Sequence, residues 1–240
     1  MRVTLLRNAT LLVELAGRRI LVDPMLGPVG SYPAIENTPR PRPNPLVPLP
    51  PVELEPLDAV IVTHLHRDHY DPTAAETLRK ELPVLTQPPS AERLRGDGFA
   101  DVRPVKDELD WDGLRVTRTG GRHGHGAVAE AMGPVSGFVL RAAGEPTLWI
   151  AGDTVWCDEA ADALERHRPD VAVVNAGAAQ FLDSEPITMD AADVARVVAA
   201  GPTVVAVHME AINHCLLSRA ELRAAVPEAL CPGDGETLQL

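Results

Sequence analysis

Apolar residues recur along the chain in short runs, mostly four to six long, and polar or glycine-rich stretches separate them. Residues 2–6, 10–15 and 19–23 read as three strands, the last two joined as a hairpin at Ala16-Gly17-Arg18. Residues 59–63, Ala-Val-Ile-Val-Thr, form an uninterrupted β-branched run, the pattern of a strand buried on both faces. Asp71-Pro72 then opens a helix expected to reach about Leu82, with Asp as N-cap and Pro at the first helical position. Strands follow near 84–87, 101–105, 114–119, 136–142 and 146–151, with a short helix near 90–96. Helix 158–167, strand 171–175, helix 189–199 and strand 203–208 continue the alternation. Ser218-Arg-Ala-Glu221 is a capping box for a last helix ending before Pro227, and a terminal strand follows the Pro232–Gly235 turn. The pattern is that of a single α/β domain covering residues 1–240.

Residues 24–56 break this rhythm. They hold eleven of the 23 prolines, which lack a backbone donor and fix φ, so neither helix nor central strand is expected. The stretch is either an extended spacer or an ordered flap beside a site, with Tyr32 its one aromatic able to reach a substrate.

Composition narrows the class. Hydrophobic residues at 45% and charged residues at 23% are a globular balance. The net charge of −12, with only Lys80 and Lys106 as lysines, disfavours nucleic acid or an anionic membrane as partner. The expected partner is a small-molecule substrate, and self-association into a homo-oligomer is compatible with the chain. Cys157, Cys215 and Cys231 are odd in number and lack Cys-x-x-Cys spacing, so a reducing, cytoplasmic setting is expected. Arg2, Arg7 and Glu14 interrupt the amino terminus, which does not read as a signal peptide, and no apolar stretch reaches the roughly 18 residues of a membrane span.

The chemistry is concentrated where the run 59–63 stops. His64, His66, Asp68 and His69 follow within six positions. Such a cluster arises by chance on the order of once per thousand such chains. Neutral imidazoles with a carboxylate suit a borderline divalent ion such as zinc. Three further runs end similarly: 114–119 runs toward His123, 147–151 toward Asp153, and 203–207 into His208. If these strand ends converge, seven ligands meet, too many for one tetrahedral ion but suited to two ions sharing a carboxylate. Asp23 ends an earlier strand as a turn former or as an acceptor that orients a ligating histidine.

In these motifs the chain resembles the metallo-β-lactamase-fold hydrolase superfamily, and within it the L-ascorbate-6-phosphate-lactonase-like branch. The matching features are Leu-Val-Asp23-Pro, Thr-His64-Leu-His66-Arg-Asp68-His69, the Gly-rich loop with His123, Gly152-Asp153-Thr154, and Val-His208 after a strand. The resemblance implies a four-layer αββα sandwich with a two-metal site at one edge. It implies that His64, His66 and His123 hold one ion, and that Asp68, His69 and His208 hold the other. Asp153 would bridge them and Asp23 would orient a ligand. The ions would be two divalent cations, zinc first and manganese second. His66, where flavodiiron-type relatives carry Glu, disfavours that redox chemistry. Asn8 stands where relatives often show His, and His125 competes with His123, which lies nearer the strand end and matches the family's order.

The expected reaction is hydrolysis of a small ester, lactone or phosphoester by a hydroxide shared between the ions, with Asp68 orienting it and taking its proton. His214 or Glu210, just beyond His208, would bind substrate or protonate the leaving group. Tyr70 reads as packing, His167 as a solvated helix end, Cys157 and Cys215 as buried small hydrophobes, and Asn8-Ala-Thr10 as a chance sequon. The rival readings are an RNA-processing nuclease of the same fold, a one-iron thiol or persulfide dioxygenase that leaves Asp68 spare, and a non-catalytic metal-binding module.

Overall fold

The computed structural model describes residues 1–240. β1 (Arg2–Arg7), β2 (Thr10–Leu15) and β3 (Arg18–Val22) form an antiparallel meander. β4 (Ala59–Val62), β5 (Val84–Thr86) and β6 (Val102–Pro104) extend it in parallel, and β13 (Thr237–Gln239) closes its other edge. These seven strands form one sheet in the order β13-β1-β2-β3-β4-β5-β6. The second sheet is built from β7 (Glu108–Trp111), β8 (Leu114–Thr119), β9 (Gly137–Arg141), β10 (Leu148–Ile150), β11 (Val171–Asn175) and β12 (Thr203–Val207). Its order is β12-β11-β10-β9-β8-β7.

Strand periodicity explains why the apolar runs are continuous. In β4, Ala59 and Ile61 face the other sheet, joining Val116, Phe138 and Val205 in the central core. Val60 and Val62 face the opposite way, onto α1 (Pro72–Thr77) and α2 (Ala91–Gly96), through Ala74 and Leu94. In β12, Val205 and Val207 point inward, while Val204 and Ala206 pack on α4 (Asp158–His167), α5 (Ala191–Ala199) and α6 (Arg219–Ala225). Successive side chains alternate faces and here both faces are covered, so neither face is left polar. The result is the expected αββα sandwich. Each fully buried Val or Ile contributes about 1.5–3 kcal/mol.

The connectivity decides where the strand ends lie. β10, β11 and β12 run parallel, and β9 is antiparallel to both β8 and β10. β8 therefore points the same way as β10 and β12, and the three deliver their carboxyl ends to one edge of the sheet.

Several elements differ from the sequence reading. α1 stops at Thr77 rather than near Leu82: Leu78 is extended, and the Thr77 hydroxyl donates back to the Thr73 carbonyl. Leu78 and Leu82 are still buried against β4 and β5, but from a turn that leads into Pro83. β7 was not anticipated, because Glu-Leu-Asp-Trp at a half-exposed sheet edge carries little apolar signal. Nor was α3 (Gly126–Met132), which buries none of its residues fully. Residues 24–56 contain no helix or strand, yet they are ordered against the domain. Tyr32 and Asn44 exchange backbone hydrogen bonds of 2.8 and 2.9 Å. The fully buried Arg7 guanidinium donates to the carbonyls of Met25, Gly27 and Val47.

Candidate metal centre

The converging strand ends bring together two groups of four side chains. His64, His66, His123 and Asp153 form one, and Asp68, His69, Asp153 and His208 form the other; within each, the ligand atoms lie within 4.8 Å of one another. Asp153 belongs to both. Its Oδ2 is 3.2 Å from His69 Nε2, 3.4 Å from His123 Nε2 and 3.8 Å from His64 Nε2, and its Oδ1 is 3.6 Å from His208 Nε2. Gly152 makes this approach possible: at φ 69° it suits a residue without a side chain, and a Cβ there would meet the Ser136 carbonyl oxygen at 2.6 Å.

The outward-facing nitrogens fix the rings. His64 Nδ1 lies 3.0 Å from Thr63 Oγ1, His69 Nδ1 2.8 Å from Asp23 Oδ2, His123 Nδ1 2.7 Å from the Ile187 carbonyl, and His208 Nδ1 3.3 Å from Cys215 Sγ. An N–H donated outward at Nδ1 leaves the Nε2 lone pair pointing inward, the tautomer a metal requires. His66 is reversed, turning Nδ1 to His64 Nε2 at 3.0 Å. Asp23 serves both groups. It accepts the Thr63 N–H at Oδ1, and at Oδ2 both the Thr63 hydroxyl and His69. Thr63 in turn accepts from His64. Asp23, at φ 45°, and His208, at φ 66°, are held in the left-handed region, which costs a non-glycine residue about 1–3 kcal/mol.

The charges divide between the two groups. Burial lowers His64 well below the usual histidine range, helped by neighbouring His69, and burial also brings His123 down to about 4. These rings are neutral and ready to ligate. Burial by itself would lower His69 too, but Asp153, Asp23 and Asp68 together raise it to about 10. His208 is raised against burial by Asp153, with Cys215 and Asp68 adding to it. Burial would push Asp68 and Asp153 up, yet the surrounding histidines hold both well below the carboxylate range. Two buried ionised carboxylates are thus compensated by ring protons where a cation would otherwise sit. The donor set, tautomers and charge all fit divalent ions.

A cavity of about 380 Å³ opens over this cluster. His66, Asp68, His123 and Asp153 lie on its polar side. Met25, Ile35, Met132, Phe181 and Ile212 supply the apolar walls, and Tyr32 and His214 line it as well. His214 is buried and its Nδ1 has no hydrogen-bond partner. Glu210 does not reach the cavity; it is exposed and paired with Arg219. His125 is half-exposed, 3.9 Å from Glu185, whereas His123 is buried at the centre. Tyr70 packs beneath β4 with its hydroxyl on Asp97, as its sequence context suggested. Cys157 joins the apolar layer under the helices, but Cys215 is more than a small hydrophobe, because it contacts His208.

Sequence reasoning missed some partners. Asn175 ends the apolar run of β11 and donates to Asp153 Oδ1 at 2.6 Å, so its strand-end position was a usable signal. Asn8 donates from Nδ2 to the Asp68 carbonyl at 3.1 Å and to its Oδ2 at 3.4 Å. The Ile187 carbonyl and the apolar cavity residues carry no local signal.

Comparison with known proteins agrees with this geometry. The sequence profile of the beta-lactamase superfamily domain matches residues 18–209. The UPF0173 protein YddR of Bacillus subtilis is 39% identical, with 99% of each chain covered. A UPF0173 metal-dependent hydrolase of Azorhizobium caulinodans is 30% identical over 74% of this chain and 73% of its own. Among solved structures, a protein from Veillonella parvula described as a possible metal-dependent hydrolase superimposes with a TM-score of 0.95 at 35% identity, covering 100% of this chain and 99% of that one. An isothiocyanate hydrolase from Delia radicum gut bacteria superimposes with a TM-score of 0.93 at 38% identity and the same coverage. The chain belongs to the β-lactamase superfamily, as a metal-dependent hydrolase of the UPF0173 group with the metallo-β-lactamase fold.

Proposed function

We propose that the protein hydrolyses small, largely apolar electrophiles, with isothiocyanates as the first substrate class and small lactones or esters as the second. One observation carries this reading: two ligand groups sharing Asp153 lie at one side of an apolar cavity of about 380 Å³. That volume is at the small end for ligand sites. Arg67 is the one cationic side chain lining the cavity, and its guanidinium lies 5.5 Å over the Tyr32 ring. A phosphoester would want converging cations, so that part of the expected range has the least support. Whole-length similarity to an isothiocyanate hydrolase favours an electrophilic carbon flanked by nitrogen and sulfur.

His64, His66 and His123 would hold one divalent ion, Asp68, His69 and His208 a second, and Asp153 both; when bound, such ions, zinc by this donor set, supply an acidified water and a Lewis acid for developing negative charge. The side chains do the rest. Asp68, oriented by the Asn8 amide, which donates to its Oδ2 at 3.4 Å, accepts the proton released by the attacking water. His214 donates a proton to the leaving nitrogen or oxygen. Phe181, Ile35 and Met132 bind the apolar substituent and exclude other water. For an isothiocyanate the balance is R–N=C=S + H₂O → R–NH₂ + O=C=S. Of the rival readings, the one-iron dioxygenase would leave Asp68 idle, whereas here it lies within ligand distance of His69, His208 and Asp153. The nuclease would need a basic track on a chain of net charge −12.

The test combines elemental analysis of the purified protein with amine release from alkyl isothiocyanates. Two zinc ions per chain with amine production is the expected result. His214→Ala should lower kcat by roughly 10²–10⁴-fold with metal content unchanged. One iron with oxygen uptake would replace this reading by the dioxygenase, and an unchanged rate in the variant would remove His214 from the mechanism.

A further inference from the structure

Asn213 lies between Ile212 and His214, both of which line the cavity, and its own side chain is fully buried. Its amide is turned into the Pro-rich segment. Oδ1 accepts from the Ile35 backbone N–H at 3.0 Å and from Asn44 Nδ2 at 2.7 Å. Nδ2 donates to the Ile35 carbonyl at 3.0 Å, to Thr38 Oγ1 at 2.7 Å and to the Arg40 carbonyl at 3.0 Å. Two amide hydrogens serve three acceptors, so one is shared. The backbone N–H of Asn213 donates to Asn44 Oδ1 at 2.9 Å, which makes the bond between the two asparagines reciprocal.

Beyond these bonds, the Tyr32 hydroxyl donates to Asp71 Oδ2 at 2.8 Å and the Asn37 carbonyl accepts from the Leu182 N–H at 2.8 Å. Residues 32–35 and Asn44 line the cavity, yet they contain no strand or helix beyond the single Tyr32–Asn44 bridge. Pro33, Pro39, Pro41, Pro43 and Pro45 have no N–H to give. One buried amide therefore does what a ladder of backbone bonds does elsewhere. Buried networks with every member satisfied select a single arrangement and resist loosening.

We propose that Asn213 is a specificity-determining residue: its amide holds the wall of residues 32–44 at a fixed distance from His214 and so sets the largest substituent the cavity admits. The substrate side of this inference rests on the hydrolase reading above; the fixing of the wall does not. Loosening the wall admits bulkier substituents and weakens the grip on small ones, which raises KM, while the metal ligands are untouched.

The experiment compares the metal-loaded protein with its Asn213→Ala variant on alkyl isothiocyanates of increasing bulk, with limited proteolysis of residues 29–43 in parallel. In the variant, KM for the smallest substrate should rise about ten-fold, and the kcat/KM ratio of small to bulky substrate should fall about ten-fold. Metal content should stay the same. Cleavage within 29–43 should accelerate about ten-fold, because it follows the population of the open segment. Thr38→Val removes one acceptor of that amide together with the hydroxyl's own bond to the Ile35 carbonyl, and it should move the same quantities in the same direction by less if Asn213→Ala does not fold. Turnover by the parent with an unchanged selectivity ratio in both variants would overturn the proposal, even if cleavage is faster, since Asn213 would then be structural only. No turnover by the parent would instead bring down the substrate reading, and unchanged cleavage would bring down the fixed wall as well.

Discussion

Replacing Asp23 by Asn tests whether the outer partners decide metal binding. The change is nearly isosteric, and Asn tolerates the left-handed φ of 45° found there, so the backbone should persist. The Thr63 N–H, 2.7 Å from Oδ1, needs an acceptor and will keep the amide oxygen on its side. The amide nitrogen then takes the place of Oδ2, where the Thr63 hydroxyl and His69 Nδ1 both now donate, at 2.7 and 2.8 Å. The hydroxyl can rotate and accept instead. His69 can accept only by moving its proton to Nε2, the atom that faces Asp153 and His208. To ligate, it must return that proton to Nδ1 and set donor against donor. Loss of such an outer partner lowers metal affinity about 10- to 100-fold, which is about 1.4–2.7 kcal/mol. Competition against a chelator, resolving both proposed ions, should show that loss for the one assigned here to Asp68, His69 and His208. The other ion should weaken less, because His64 reaches Asp23 only through the Thr63 hydroxyl. Two dissociation constants equal to those of the parent would refute the reasoning.

Asp153→Ala removes the carboxylate common to both ligand groups, so elemental analysis should find both ions depleted and turnover should vanish; normal activity in that variant is incompatible with a shared carboxylate. In metal-free protein, His69 is raised to about 10 by buried carboxylates, so its charged form stabilises the fold fully below an unfolded-state pKa of about 6.5, and this is lost as pH rises toward 10. The melting temperature of chelator-treated protein should therefore fall from pH 7 to 10 by more than that of the metal-loaded protein, and parallel profiles would count against the assignment. Metal uptake at pH 7 should expel that proton, which an indicator dye would detect; uptake without proton release would contradict it. Cys215→Ser keeps an acceptor 3.3 Å from His208 Nδ1 and should retain metal, whereas Cys215→Ala should weaken binding about ten-fold; equal affinities would remove Cys215 as a partner of His208.

Much of this protein follows from local pattern. The runs in β4, β10, β11 and β12 are legible because a strand buried on both faces must be apolar throughout, and the side chains just beyond it stand out by contrast. That contrast marks His64, Asp153 and His208 and, with the Gly-rich loop, His123, and it would have marked Asn175 by the same logic. Elements without a buried stripe, such as α3 and β7, leave no such trace.

The sequence by itself determined the layered α/β class, the candidate ligands and the net charge of −12. Only the tertiary structure decided that β8, β10 and β12 end at the same edge, since strand direction depends on pairings between residues far apart in the chain. It likewise decided which ring nitrogens face inward and that Asn8 and Cys215 attend Asp68 and His208. It also resolved the Pro-rich stretch as an ordered cavity wall rather than a spacer. Prolines announce only what a segment cannot form; what holds this one is the Asn213 amide, 169 residues from Asn44, and no local pattern encodes such a contact.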